Sequence, residues 1–204
     1  MSDDDNSSYE KINLLTLGNS AVGKTCLTVR FCKGEFSNIY LTTIGLNFIF
    51  KYITLPNKKK IKICFYDTAG QERYNCISKN QINSSNGILL MYDITSTKTF
   101  DAIPEWIKSI LDVKGENFPM ILIGNKSDKE EERQVQKEEG EKEAQKNNLS
   151  FYETSNKDGS NVEEAINDLI KKVLESDYYK NEKIIRLNTK KIKKDVVKFN
   201  IIIN

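Results

Sequence analysis

This sequence predicts an α/β domain with a mostly parallel, six-stranded sheet covered by helices on both faces. Three observations predict it. Short apolar runs alternate with helix-period segments from Lys11 to Leu174. Several runs are continuous rather than alternating, as strands buried on both faces are. Polar loops follow the runs at their carboxyl ends, where doubly wound sheets bind ligands. At 204 residues the chain has room for one such domain and little more.

The elements follow in order. Residues 1–10 are polar, carry Asp3, Asp4 and Asp5, and read as a disordered acidic N-terminus. Lys11–Leu17 is apolar, ends at a glycine and reads as a buried strand, with a helix pattern from Gly23 to about Cys32. Leu46–Leu55 and Ile61–Tyr66 are strands joined by a turn at Pro56-Asn57, an antiparallel hairpin. Gly87–Asp93 and Met120–Gly124 are short buried strands, and Leu149–Glu153 is the last. Helical periodicity appears at Phe100–Val113, Val135–Asn147 and Val162–Leu174, so about five helices are expected in all.

Composition narrows the chemistry. There is no histidine, which removes Ser-His triads, Cys-His dyads and histidine metal sites. The spacing of Cys26, Cys32, Cys64 and Cys76 fits no zinc pattern, and the four read as small buried or half-buried hydrophobes. No apolar run approaches the roughly 18 residues of a membrane helix. An acidic start is unlike a secretory signal, and Ser2 is not a myristoylation acceptor. Charge is asymmetric. Residues 180–204 hold eight Lys/Arg against Glu182 and Asp195, so this tail carries +6 and the rest of the chain −4.

Four loops carry chemistry. Gly18-Asn19-Ser20-Ala21-Val22-Gly23-Lys24-Thr25 matches G-x-x-x-x-G-K-[ST], after a strand and opening a helix. Its glycines let the backbone wrap a phosphate, and the N–H groups of residues 20–25 and the helix dipole suit an anion. Lys24 would reach the β- and γ-phosphates, and the Thr25 hydroxyl would bind magnesium. Asp67-Thr68-Ala69-Gly70-Gln71-Glu72 follows the strand Ile61–Tyr66. There Asp67 can hold magnesium through water, the Gly70 N–H can approach a γ-phosphate, and Gln71 can orient an attacking water. Asn125-Lys126-Ser127-Asp128 selects the base. The Asp128 carboxylate can accept from both N1–H and the exocyclic amine of guanine. Adenine has no N1–H and no amine at C2, a difference that can discriminate by about 10⁴–10⁵. The Lys126 stem can lie over the ring, and Asn125 can tie loops together. Finally, Glu153-Thr154-Ser155-Asn156-Lys157 offers backbone N–H groups to guanine O6. Each loop alone is a weak signal; their order, each after its own strand, is the strong one.

These motifs resemble the Ras-like small GTPases, and most closely the Rab family. The resemblance covers residues 11–176 and rests on GNSAVGKT, TIGLNF, YDTAGQERY, LLMYDIT with Phe100 and Trp106 beyond, GNKSD and ETSNK. It implies a P-loop small G-domain, a GTP/GDP switch that hydrolyses GTP with Mg²⁺, and a role in vesicle traffic. It extends the phosphate-binding set to Cys26. It implies that Phe36 packs on guanine, that Tyr40 covers the phosphates, and that Thr43 binds magnesium and the γ-phosphate in the GTP state. Phe48, Tyr66 and Tyr74 would form an aromatic triad read by effectors, beside an exchange factor and a GTPase-activating protein acting on the switches. A GTP-binding module with little turnover, recruiting partners constitutively, stays as the alternative; a nucleic-acid partner is not expected.

Several positions depart from the family pattern. Tyr66 stands for a usual tryptophan, Asn47 for aspartate, and Gln81-Ile82-Asn83-Ser84-Ser85 for a Tyr-Tyr-Arg-Gly-Ala segment. Asn156 replaces an alanine, with the backbone contact kept. Residues 177–204 form a basic hypervariable tail in which no cysteine offers a prenyl acceptor. Its lysines interleave with Ile184, Ile185, Leu187, Ile192, Val196, Val197 and Phe199, so direct contact with anionic lipid is possible. A cytoplasmic protein, peripheral on endomembranes, is the expected setting.

Overall fold

The computed structural model describes residues 9–36, 46–55, 58–68, 79–177, 179–181 and 183, with the backbone alone for 46–48, 67 and 68. Six strands form one sheet: β1 (Glu10–Leu17), β2 (Leu46–Thr54), β3 (Lys60–Thr68), β4 (Gly87–Asp93), β5 (Met120–Asn125) and β6 (Ser150–Thr154). The spatial order is β2-β3-β1-β4-β5-β6. β2 pairs antiparallel with β3, from Leu46↔Thr68 to Thr54↔Lys60, and every other pair is parallel. The hairpin and the mixed sheet match the expected architecture. β4 has the expected bounds, and the other five strands shift at an end by one or two residues.

The continuous apolar runs are central strands because helices cover both faces. β4 is buried along its whole length, as is β5. On one face Ile12, Leu14, Ile61, Ile63, Phe65, Leu89 and Met91 meet α1 (Lys24–Lys33) and the last helix, α6 (Val162–Glu175). α6 buries Val162, Ala165, Ile166, Leu169, Ile170 and Val173, the 3.6-residue stripe of an amphipathic helix. On the other face Leu15, Leu17, Ile88, Leu90, Tyr92 and Leu122 pack under α2 (Lys79–Ser84), α4 (Ile103–Lys114) and α5 (Lys137–Lys146).

Two features differ from expectation. The segment Phe100–Val113 is not one helix but α3 (Thr97–Asp101) and α4, separated at Ala102. Pro104 is the reason. It has no N–H to give the Phe100 carbonyl and its ring crowds that carbonyl, so the helix restarts with proline in its first turn. With α2 added, the described residues hold six α-helices rather than about five. α2 is short and its only buried residue is Ile82, too little for a periodic signal.

The packing of the sheet continues past α6. Tyr179 is 6% exposed and belongs to the core beneath α6. Its backbone N–H donates to Ser176 Oγ and its hydroxyl to the Lys11 carbonyl. Lys183 and Lys59 both pair with Glu10, so the chain after α6 is tied to the first strand. The three described cysteines are half-buried (Cys26, Cys32) or buried (Cys64). Burial pushes the Cys32 thiol up to about 11, against the lowering effect of Lys51. Cys76 lies outside the described residues.

Tyr179→Ala should therefore lower unfolding stability by about 3 kcal/mol, the usual scale for emptying an aromatic core site. Urea unfolding of the full chain measures this; an unchanged midpoint would place Tyr179 outside the cooperative core.

Candidate functional site: the loop edge of the sheet

The loops expected to carry chemistry leave the carboxyl ends of β1, β3, β5 and β6, at Leu17, Thr68, Asn125 and Thr154. These strands run parallel, so their carboxyl ends share one edge of the sheet.

The phosphate loop is held by backbone that only particular residues allow. Gly18 has φ 132, and a Cβ there would lie 2.0 Å from the Met91 carbonyl oxygen, so the loop runs hard against β4. Gly23 has φ 100, and a Cβ there would lie 2.2 Å from Asn125 Nδ2. Val22 is fully buried and pins the loop centrally, whereas Ser20 is half-buried and Ala21 exposed, in a left-handed conformation. α1 begins at Lys24 and carries Thr25 and Cys26, both half-buried, in its first turn. The first N–H groups of a helix have no partner within it, which favours an anion there.

Lys24 is only 6% exposed. A buried ammonium must be bonded, and Nζ donates to the carbonyls of Gly18 (2.9 Å) and Asn19 (2.8 Å). Asn19 is itself fixed: its Oδ1 accepts from Trp106 Nε1 at 3.0 Å, which joins the loop to α4. The cation is thus held over the loop and beside the helix N-terminus.

On the base side, Asn125 is 1% exposed and makes two links. Its Nδ2 donates to the Val22 carbonyl at 2.7 Å, and its Oδ1 accepts from Thr154 Oγ at 3.1 Å. One amide thereby joins the loops after β1, β5 and β6. Ser127 N–H donates to the Thr154 carbonyl, bringing Asp128 alongside Ser155. The buried Ser155 donates through its hydroxyl to Asp128 Oδ1 at 2.9 Å, aiming a carboxylate that is otherwise exposed. Lys126, at φ 70, pairs with Asp93 Oδ2 at 2.6 Å. The other Asp93 oxygen accepts from the Thr95 N–H and hydroxyl. Asn156 is buried and Lys157 exposed at the end of the last loop. The arrangement can present a fixed carboxylate, a lysine stem and backbone amides to a purine while the phosphate loop holds its anionic end.

For a cation, the backbone places two residues with oxygen-bearing side chains on the loop edge. Thr25 opens α1, and Asp67 follows Tyr66, which pairs with Leu15 two residues before β1 ends. A hydroxyl and a carboxylate are donor types that suit a small hard ion such as Mg²⁺. Among the described residues no group of three or more His, Cys, Asp or Glu could hold a metal by itself.

Phe36 follows α1 and is 36% exposed. Phe48 lies opposite Tyr66 in the β2–β3 register; Tyr66 is half-buried, with the Lys11 ammonium 5.9 Å from its ring. Tyr40, Thr43, Gly70, Gln71 and Tyr74 lie outside the described residues.

The Ras family model matches residues 13–175. The chain belongs to the Ras family. Its relatives place it in the Rab branch. It is 43% identical over 161 residues to Ras-related protein Rab-13 of Bos taurus, covering 79% of each chain. It is 42% identical to Rab-10 of Caenorhabditis elegans (79% of this chain, 80% of the relative). It is 43% identical to Rab-8B of Homo sapiens (79% and 77%). It is therefore a Rab-family small GTPase, a GTP hydrolase of membrane traffic.

Three residues of this Rab site escape a loop-by-loop reading. Asn19 carries a side-chain link from a position the phosphate-loop pattern leaves free. Asp93 ends β4 within LLMYDIT, and an acid at a strand end on the ligand edge was the available signal. Arg133 donates to both carboxylate oxygens of Glu153 (2.7 and 3.0 Å) and to Glu130, clamping the segment after Asp128 to the start of ETSNK. No periodicity or motif marks it.

Asp93→Asn should leave Lys126 without its anionic partner and lower GDP affinity about tenfold, the scale of one charge-assisted bond. Fluorescent-nucleotide titration reads this; unchanged affinity would mean that the backbone alone places Lys126.

Proposed function

We propose that this Rab-family GTPase is a slow switch whose hydrolysis depends on a partner protein. Lys24, with the loop amides of residues 20–26, takes the phosphates. Asn125, Lys126, Asp128 and the loop Ser155-Asn156-Lys157 take the guanine, with Phe36 against the ring and Tyr40 over the phosphates. The reaction is in-line attack of water on the γ-phosphate, with Gln71 orienting the water and Lys24 stabilising the charge that develops. Thr25, Thr43 and Asp67 would hold a magnesium ion, which neutralises charge on the phosphate oxygens. Contacts of Thr43 and Gly70 with the γ-phosphate would order the two switch segments in the GTP state and release them after hydrolysis.

The observation that carries this reading is the convergence of a buried Lys24 and the Asn125–Asp128–Ser155 network on one edge. No arginine of the chain is assigned to the γ-phosphate, so the missing charge would come from a GTPase-activating protein. Effectors would read Phe48, Tyr66 and Tyr74, and an exchange factor would act on the same switches. The setting is the cytoplasmic face of an endomembrane. No helix among the described residues is long and apolar enough to cross a bilayer. The lysines of the tail would instead touch anionic headgroups, each contributing about 1 kcal/mol near the surface.

Two measurements test the roles. Gln71→Leu should slow single-turnover hydrolysis of bound GTP at least about tenfold while GTP stays bound, within the range of one positioned catalytic group; an unchanged rate removes Gln71 from the mechanism. Thr25→Ala should weaken the magnesium dependence of GTP binding about tenfold or more, as the loss of one hard oxygen ligand would. Equal magnesium titrations for variant and parent would place the ion elsewhere.

A further inference from the structure

Two side-chain amides converge on Gly23, one from the end of β5 and one from the loop after β6. A Cβ at Gly23 would lie 2.2 Å from Asn125 Nδ2 and 2.8 Å from Asn156 Nδ2. Asn125 donates to the Val22 carbonyl, and Asn156 donates to the next carbonyl, that of Gly23, at 3.0 Å. The orientation of the Asn156 amide follows from its partner. A carbonyl oxygen can only accept, so the NH₂ group must face it. The Gly23 carbonyl also accepts from Leu27 N–H at 2.9 Å, the first turn of α1. Asn156 therefore grips the loop at the point where the phosphate-binding helix begins.

We propose that the Asn156 side chain is a positioning residue, a latch that ties the guanine loop to the phosphate loop and slows nucleotide release. This rests on the reading of residues 20–25 and 155–157 as the two ends of one GTP site. A nucleotide spans both loops, and it can leave stepwise if one loop opens while the other stays closed. A bond between the loops makes them open together, which raises the barrier to release.

The energetics favour this over a simple fold-stabilising role. Asn156 is 5% exposed, and its Oδ1 is buried with no hydrogen-bond partner. An orphaned buried acceptor costs as much as, or more than, one neutral hydrogen bond returns. For folding alone a small apolar side chain here would serve equally well. What the amide adds is the connection to Gly23.

The test compares full-length protein with Asn156→Ala and Asn156→Asp, loaded with fluorescent GDP and magnesium. Release is followed after excess unlabelled GDP is added, and association is measured on nucleotide-stripped protein. The latch predicts release about three- to tenfold faster in Asn156→Ala, with the association rate within about twofold, a split that general damage to the site would not produce. Asn156→Asp keeps the side-chain volume but replaces the donor with an acceptor facing a carbonyl, so its release should be at least as fast as that of the alanine variant. Release from Asn156→Ala at or below the parent rate overturns the latch, as does parent-like release from Asn156→Asp. Failure of the unsubstituted chain to bind GDP would overturn the nucleotide reading of both loops and the latch with it.

Discussion

Everything at the loop edge depends on one buried amide. Asn125 reaches from β5 to the Val22 carbonyl in the phosphate loop and takes a hydrogen bond from Thr154 at the end of β6. Three loops that are distant in sequence are thereby held at fixed spacing. β4 lies between β1 and β5 in the sheet, so the contact reaches across the end of a strand. The amide is suited to it, carrying donor and acceptor together at the end of a short side chain. With solvent excluded, each bond is worth keeping and costly to break.

Around that tie, charge is placed rather than merely present. Lys24 is buried and bonded to carbonyls of its own loop, so its ammonium stays where phosphates would lie. Lys126 is drawn toward Asp93, which frees its stem to lie along a ring, and Ser155 aims Asp128. Arg133 clamps Glu153 and fixes the origin of the last loop. Lys24, Lys126 and Asp128 each have a second group setting their direction. That is the preorganisation catalysis and selective binding both require.

The legible part of this molecule was the part with periodicity or a fixed spacing. The buried runs of β4 and β5, the stripe of α6 and the glycine-rich loop could be read directly, because burial and phosphate contact dictate residue types at set intervals. The break at Ala102 was readable in principle from Pro104, but helical periodicity on both sides hid it. Tyr179 lay past the last periodic segment, so its burial left no pattern. The positioning residues were the hardest. Asn19, Asp93 and Arg133 act through partners 87, 33 and 20 positions away, and single-chain spacing does not encode contacts made by the fold. Asn156 stood out as a departure from the family pattern, but its grip on Gly23 became visible only in three dimensions.

The central claim is that these converging loops form a working GTP site. The most direct measurement denatures purified full-length protein, identifies the released nucleotide by chromatography, and follows added GTP over hours in magnesium. GDP in the released pool, and slow conversion of GTP to GDP, is the predicted result. A protein that carries no guanine nucleotide and leaves GTP unbound in magnesium would contradict it.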